Sequence, residues 1–228
     1  MSNTASDSGS PLEPEAGPLA IQIVPVTPFG QNCAIMFDEV SKLGVVVDPG
    51  GDVDKILAAI EHLGVTVEAI WLTHGHLDHA GGAMALKGAL GIDVVGPHEA
   101  DKPLLENIER QAQMFGAGGG MRNAYPDRFL VDGDTVGFGG HRFEVLHCPG
   151  HAPGHVVFFH REARFLHAGD VLFRGSVGRT DLAGGDHATL IRSIREKVLP
   201  LGDDVGFMCG HGPGGTLGEE RLTNPYLV

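Results

Sequence analysis

The chain has 228 residues, 42% of them apolar and 20% charged, with a formal net charge of −13 at pH 7. This is the composition of one globular domain long enough for a sizeable core. The acidic balance argues against nucleic-acid binding, which needs a basic footprint, and weakly against anionic membrane surfaces.

Residues 1–18 are rich in Ser, Pro, Glu and Gly and hold no apolar block, so a disordered tail is expected there and a folded domain over 19–228. No apolar run approaches about 18 residues, so no membrane span is expected. Residues 19–26, 32–37 and 43–48 read as strands. Asp52 is placed to cap a helix through Leu63, with Ile56, Leu57 and Ile60 on one face and Gly64 as its stop. A strand over 67–72, a helix over 81–90 and a strand over 92–95 follow. Leu104, Leu105, Ile108, Gln111 and Ala112 then have helical spacing, which the glycines of 116–120 interrupt. The segment 99–120 reads equally as a lid over a site and as a surface loop. Further strands are expected near 134–138, 141–146, 155–159, 164–167 and 205–209. A helix over 187–198 turns Leu190, Ile191, Ile194 and Val198 inward. Pattern alone gives an α/β or α+β fold.

The chemistry is concentrated at residues 73–79, Thr-His-Gly-His-Leu-Asp-His. His74, His76, Asp78 and His79 are costly to bury together unless they bind something, and imidazole with carboxylate suits zinc, iron or manganese. His74 and His76, two apart, point the same way on an extended segment, while Asp78 and His79 can turn toward a second ion. Downstream, His151 and His155 in Pro-Gly-His-Ala-Pro-Gly-His, Asp170 in Ala-Gly-Asp and His211 in Cys-Gly-His-Gly each sit in a glycine-rich turn after an apolar run. The cysteines, Cys33, Cys148 and Cys209, are too few for a disulfide framework and suit a reducing cytoplasm. Cys148 and Cys209, three and two residues before His151 and His211, read first as small buried residues beside the site and second as thiolate ligands.

The order His-x-His-x-Asp-His, then His151, Asp170 and His211, resembles the metallo-β-lactamase superfamily, and within it the glyoxalase II-like (hydroxyacylglutathione hydrolase-like) branch. Gln31-Asn32-Cys33, Val47-Asp48-Pro49-Gly50, Ala168-Gly169-Asp170-Val171-Leu172-Phe173 and Gly210-His211-Gly212-Pro213 extend the likeness from residue 31 to about 225. Gly178-Arg179-Thr180-Asp181, followed by Gly184-Gly185-Asp186, is similar to the short, single-domain YcbL-like bacterial subgroup. The resemblance implies an α+β fold of the αββα sandwich type, two sheets face to face with helices outside. It implies two divalent ions, zinc first and iron or manganese as alternatives. One would lie on His74, His76 and His151 and the other on Asp78, His79 and His211, with Asp170 bridging. It further implies hydrolysis of a small-molecule thioester such as S-lactoylglutathione by a metal-bridging hydroxide. Asp78 would also orient that hydroxide, and Arg179 would bind a glutathione carboxylate. Arg179 reads equally as an ion-pair partner of Asp181 or Asp186. The chain departs from the classical enzymes at Asp181, where they carry an aromatic, at Pro213, where they carry tyrosine, and in having 17 residues after His211 in place of a helical domain.

A rival on the same fold is a mononuclear-iron persulfide dioxygenase, with the metal on His74, His151 and Asp170. His147 and His155 are expected to hydrogen-bond the ligands rather than ligate, and His167 to be a strand residue near Asp170. Asp48 reads as a turn or supporting residue. His62, His98, His141, His160 and His187 read as surface or ordinary polar positions.

Overall fold

A computed structural model describes residues 16–117 and 119–228. Most of the expected tail therefore lies outside the described residues. Pro18, counted within that tail, already accepts the Glu39 N–H at 3.0 Å, so the chain is tied to the domain before residue 19.

Strands β1 (Leu19–Val26), β2 (Gln31–Asp38), β3 (Leu43–Val47), β4 (Thr66–Trp71) and β5 (Asp93–Val95) form one sheet in that order, antiparallel through β3 and parallel thereafter. Parallel neighbours need a crossover. It is supplied by α1 (Val53–Leu63) and, beyond the single turn α2 (Leu77–Ala80), by α3 (Ala83–Leu90). Helices α4 (Lys102–Leu105) and α5 (Ile108–Phe115) follow. The second sheet contains β6 (Thr135–Phe138), β7 (His141–His147), β8 (Val156–His160) and β9 (Phe165–His167). It is completed by β12 (Gly206–Met208) and β13 (Gly215–Thr216), in the spatial order β13-β12-β9-β8-β7-β6. Between β9 and β12 lie the hairpin of β10 (Leu172–Phe173) and β11 (Ser176–Val177) and helix α6 (His187–Ser193). Helix α7 (Leu217–Thr223) closes the fold.

Side-chain alternation explains the layering. Ala34 and Met36 of β2 face the second sheet, where they join Trp71, Phe143 and Phe158 in the inter-sheet core. Their neighbours Cys33, Ile35 and Phe37 face the other way, under Ile56 and Ile60 of α1 and Leu86 of α3. Phe159, Leu166 and Phe207 of the second sheet do the same under Leu190 and Leu217. Every residue of β2 is buried, and its centre, Cys33 to Phe37, reads as a continuous apolar run. Trp71 fixes the centre, its ring 5.3 Å from that of Phe143 and 5.1 Å from that of Phe158. The architecture is the four-layer αββα sandwich.

Several local expectations change. Asp52 stands at the α1 cap position but with φ 47°, and no side-chain cap bond forms. Its carboxylate instead accepts the Thr27 N–H at 3.0 Å, trading a local bond for one to a neighbouring loop. The helix expected over 187–198 keeps α geometry to Ser193 and widens into a π-helical turn over Ile194–Val198. The helix expected from residue 81 begins at Ala83, because α2 precedes it as a separate turn. Two-residue strands and a four-residue helix are too short to carry a period.

Candidate metal centre

Each candidate ligand sits just past the end of a strand or on a loop at one edge of the sandwich. His74 and His76 follow β4, and α2 carries Asp78 and His79. His151 lies between β7 and β8, Asp170 after β9 and His211 after β12. The fold brings all seven together. His74, His76 and His151 each offer a nitrogen within 4.8 Å of the other two, and Asp78, His79 and His211 form an equivalent group. His74 Nε2 faces His76 Nδ1 at 3.0 Å. His211 Nε2 lies 3.2 Å from Asp78 Oδ2. Asp170 stands between the groups: Oδ1 is 3.4 Å from His79 Nε2, and Oδ2 is 3.6 Å from both His151 Nε2 and His211 Nε2.

The surroundings set which nitrogen each ring turns inward. The Asp48 carboxylate accepts from Thr73 N at 2.8 Å, Thr73 Oγ1 at 2.6 Å and His79 Nδ1 at 2.8 Å. With Nδ1–H so engaged, His79 presents Nε2 to the site. His151 donates Nδ1–H to Arg179 O at 2.8 Å and likewise presents Nε2. His74 Nδ1 lies 3.0 Å from Thr73 Oγ1, which already donates to Asp48 and so accepts from the ring. Asp48, His74 and His79 also come within ligand range of one another, but both Asp48 oxygens are committed.

The charges follow from burial and proximity. Burial holds His76 down to about 3 and His74 well below its ordinary range. Burial also opposes charge on His79 and His211, yet the carboxylates of Asp170 and Asp78 outweigh it and raise both rings. Burial opposes the Asp170 carboxylate too, but His79, His151 and His211 hold its pKa well below the usual range.

These residues fit a divalent cation. His79 Nε2, His151 Nε2 and Asp170 Oδ1 are buried, face the same space and have no hydrogen-bond partner among the described residues. Leaving such groups unpaired is costly, and a set of imidazole and carboxylate donors is what zinc, iron or manganese takes. The backbone is shaped for it as well: a Cβ on Gly210 would overlap Asp170 Oδ1 and the His79 ring.

One supporting residue goes beyond the reading of the sequence. Asp101 is buried and accepts the N–H of Gly75 at 2.8 Å and that of Gly154, tying the loop of His74 and His76 to the loop of His151. Burial pushes it up to about 6, against the pull of those two donors. A lone aspartate in a loop gives no sequence signal of that reach. His155, expected as a hydrogen-bond partner, accepts the Asp170 N–H at Nε2 (3.0 Å) and stacks on His74. His141 and His160, expected at ordinary polar or surface positions, are both 5% exposed and pair through Nδ1 and Nε2 at 3.0 Å. His141 Nε2 also lies 3.3 Å from Asp38 Oδ2, although neither atom completes a hydrogen bond among the described residues.

Arg179 is at the mouth of the site. Its Nε and Nη2 both donate to Asp181 at 2.7 Å, while Asp186 caps α6 through Thr189 N. Hydrogen bonding from Arg179 brings Asp181 down to about 2. A cavity of about 480 Å³ opens over the ligands, with Gln111 and Phe115 of α5 in its wall. The segment over 99–120 thus contributes to the site through α5. All three cysteines are buried and free, and the Cys209 thiol points at the carbonyls of His211 and Pro213.

Residues 26–211 match the model of the metallo-beta-lactamase superfamily. The chain is 45% identical over 208 residues to the hydroxyacylglutathione hydrolase GloC of Haemophilus influenzae, covering 91% of this chain and 97% of that protein. Among solved structures it is similar to TTHA1623 in a di-iron-bound form (TM-score 0.82, 39% identity, 90% of this chain and 100% of that one). It is also similar to BLEG-1 B3 metallo-beta-lactamase (TM-score 0.84, 35% identity, 92% and 100%). The chain belongs to the metallo-β-lactamase superfamily and is an enzyme of its metallohydrolase kind.

Proposed function

We propose that the chain is a binuclear metallohydrolase that cleaves a thioester such as S-lactoylglutathione. The observation that carries this reading is the position of Asp170, whose two oxygens reach both ligand groups. His74, His76 and His151 would hold one ion, Asp78, His79 and His211 the other, and Asp170 would serve both. Two divalent cations, zinc or alternatively iron or manganese, would supply Lewis acidity and a hydroxide nucleophile at neutral pH.

The chain's own residues do the rest. Asp48 and Arg179 O accept the Nδ1–H of His79 and His151, which leaves Nε2 of each ring turned inward. Asp78, in the ligand cluster, is also the residue proposed to orient the nucleophile. Apart from the proposed ligands, Arg179 is the one titratable side chain among the described cavity-lining residues. The wall therefore provides no spare acid to protonate a leaving group, which suits a thiolate, a group that leaves without strong acid assistance. Arg179 is proposed to meet the polar end of the substrate. Because Asp181 offsets its charge, it acts through its remaining N–H groups.

The similarity to a hydroxyacylglutathione hydrolase supports the substrate class. The free cysteines support a cytoplasmic setting, and the net charge of −13 supports a small-molecule partner over nucleic acid or membrane. No helix of the described residues is long and apolar enough to cross a membrane.

The test is a panel of S-lactoylglutathione, other acyl thioesters, lactones and glutathione persulfide, run with measured metal content. Two ions per chain, with thioester hydrolysis that chelation abolishes and zinc, manganese or iron restores, is the expected result. One iron per chain with oxygen uptake on the persulfide would replace the hydrolase by the dioxygenase.

A further inference from the structure

We propose that the two ions are governed by separate clasps. Asp101 positions the ligands of the ion on His74, His76 and His151, and Asn32 positions those of the ion on Asp78, His79 and His211, so that either ion can be weakened without the other. The proposal rests on the two-ion reading and assigns a positioning residue to each half of the centre.

The first ligand group is drawn from both sheets. His74 and His76 follow β4 of one, and His151 lies between β7 and β8 of the other. The backbone joins the two loops where Val156 N–H donates to Thr73 O at 2.8 Å, before His74 is reached. Past that point the side chain of Asp101 spans them. It is fully buried and accepts the N–H of Gly75, the residue between His74 and His76, at 2.8 Å. It also accepts the N–H of Gly154, three residues past His151. The short turn that carries it is braced on the same loop: His98 N–H donates to Gly154 O at 3.0 Å, and Asp101 N–H to His98 O at 3.0 Å. A Cβ on Gly75 or on Gly154 would press on Asp101 itself. One carboxylate thus fixes the span across which three imidazoles converge. Among the described residues it makes no hydrogen bond to the loops of Asp78, His79 or His211.

The second group has its own fastening. Asn32, 8% exposed in β2, donates from Nδ2 to Cys209 O at 3.0 Å and to Gly212 O at 2.9 Å. Its backbone N–H donates to Gly210 O at 2.7 Å, and Gln31 beside it pairs with His211 in a β-bridge. Three carbonyls around His211 are therefore tied to one residue. Two carbonyls call for two donors, which an amide supplies and a carboxylate lacks. The Asn32 side chain makes no hydrogen bond to the loops of His74, His76 or His151 among the described residues. Asp48, by contrast, reaches both groups, through His79 and through Thr73. A metal site tolerates little error in the placement of its ligands, so loosening one loop falls on the ion that loop serves.

The experiment isolates each ion by removing a ligand of the other. His211→Ala leaves the first group intact and His76→Ala the second. The zinc affinity of the full-length chain is measured by competition with a chromophoric chelator, a readout that needs no turnover. Asp101→Asn is expected to weaken zinc by at least about tenfold in the His211→Ala chain and by less than about twofold in the His76→Ala chain. Asn32→Ala is expected to do the reverse. A merely structural role lowers both affinities together, so equal effects of a variant in the two backgrounds, or no effect in either, overturn the proposal. Where circular dichroism shows that a variant has not folded, Asp101→Glu or Asn32→Ser takes its place. If the parent chain binds a single ion, the two-ion reading falls. The His211→Ala chain then still decides the first clasp: zinc weakened by Asp101→Asn supports it, and unchanged affinity overturns it.

Discussion

Asp48 takes the Nδ1–H of His79 at 2.8 Å in a contact with both side chains fully buried. The same carboxylate holds the backbone and hydroxyl of Thr73. One residue at the end of β3 thereby sets both the tautomer of His79 and the path of the loop that carries His74 and His76. Asp48→Asn brings an N–H₂ group against donors already aimed at Asp48. We expect a 10- to 100-fold loss of metal affinity, read by competition with a chromophoric chelator.

His79 and His211 have raised pKa values, so the folded, metal-stripped protein keeps protons that the unfolded chain releases above about 6.5. The stabilisation they contribute is complete below that pH and is lost as pH rises through their folded values. Metal ligation requires neutral rings. Loading at pH 7 is therefore expected to release protons, measured by calorimetry in buffers of different ionisation enthalpy. His79→Gln should reduce the number released, and an unchanged number would show that His79 enters the site neutral.

Asp101 binds two backbone N–H groups from different ligand loops. Asp101→Ala strands both donors in a buried place, at a cost of about 2–4 kcal/mol in urea unfolding. Asp101→Asn keeps one acceptor and should lose roughly half as much. Equal losses would mean that only one of the two bonds matters.

Gly210 leaves no room for a side chain beside Asp170 and His79. Gly210→Ala is expected to lower metal occupancy well below that of the parent in elemental analysis, with the far-ultraviolet circular dichroism unchanged. Full occupancy would show that the loop shifts without cost.

The longer elements were legible because burial imposes a period. The run over 32–37 and the alternating strand over 141–146 came through as β2 and β7, and the face of Ile56 and Ile60 as α1. The hairpin of β10 and β11 and the turn α2 did not, because two to four residues carry no period. Asp52 misled because its side chain found a partner in another loop.

At the site, the residue types and their order, read through the family resemblance they carry, were enough to name the seven candidate ligands. What joins them was decided in three dimensions. Asp101 reaches Gly154 across 53 positions and Asp48 reaches His79 across 31, so no local spacing encodes either contact. The gathering of Phe29, Phe115 and Phe173 over the ligands likewise depends on how distant loops pack at one edge of the sandwich, whereas Arg179 pairs with Asp181 only two positions away. Sequence determines which groups can bind a cation, because that is a property of each side chain. Tertiary structure decides which lone pairs are left free and what covers them, because those depend on neighbours that the chain supplies only once it has folded.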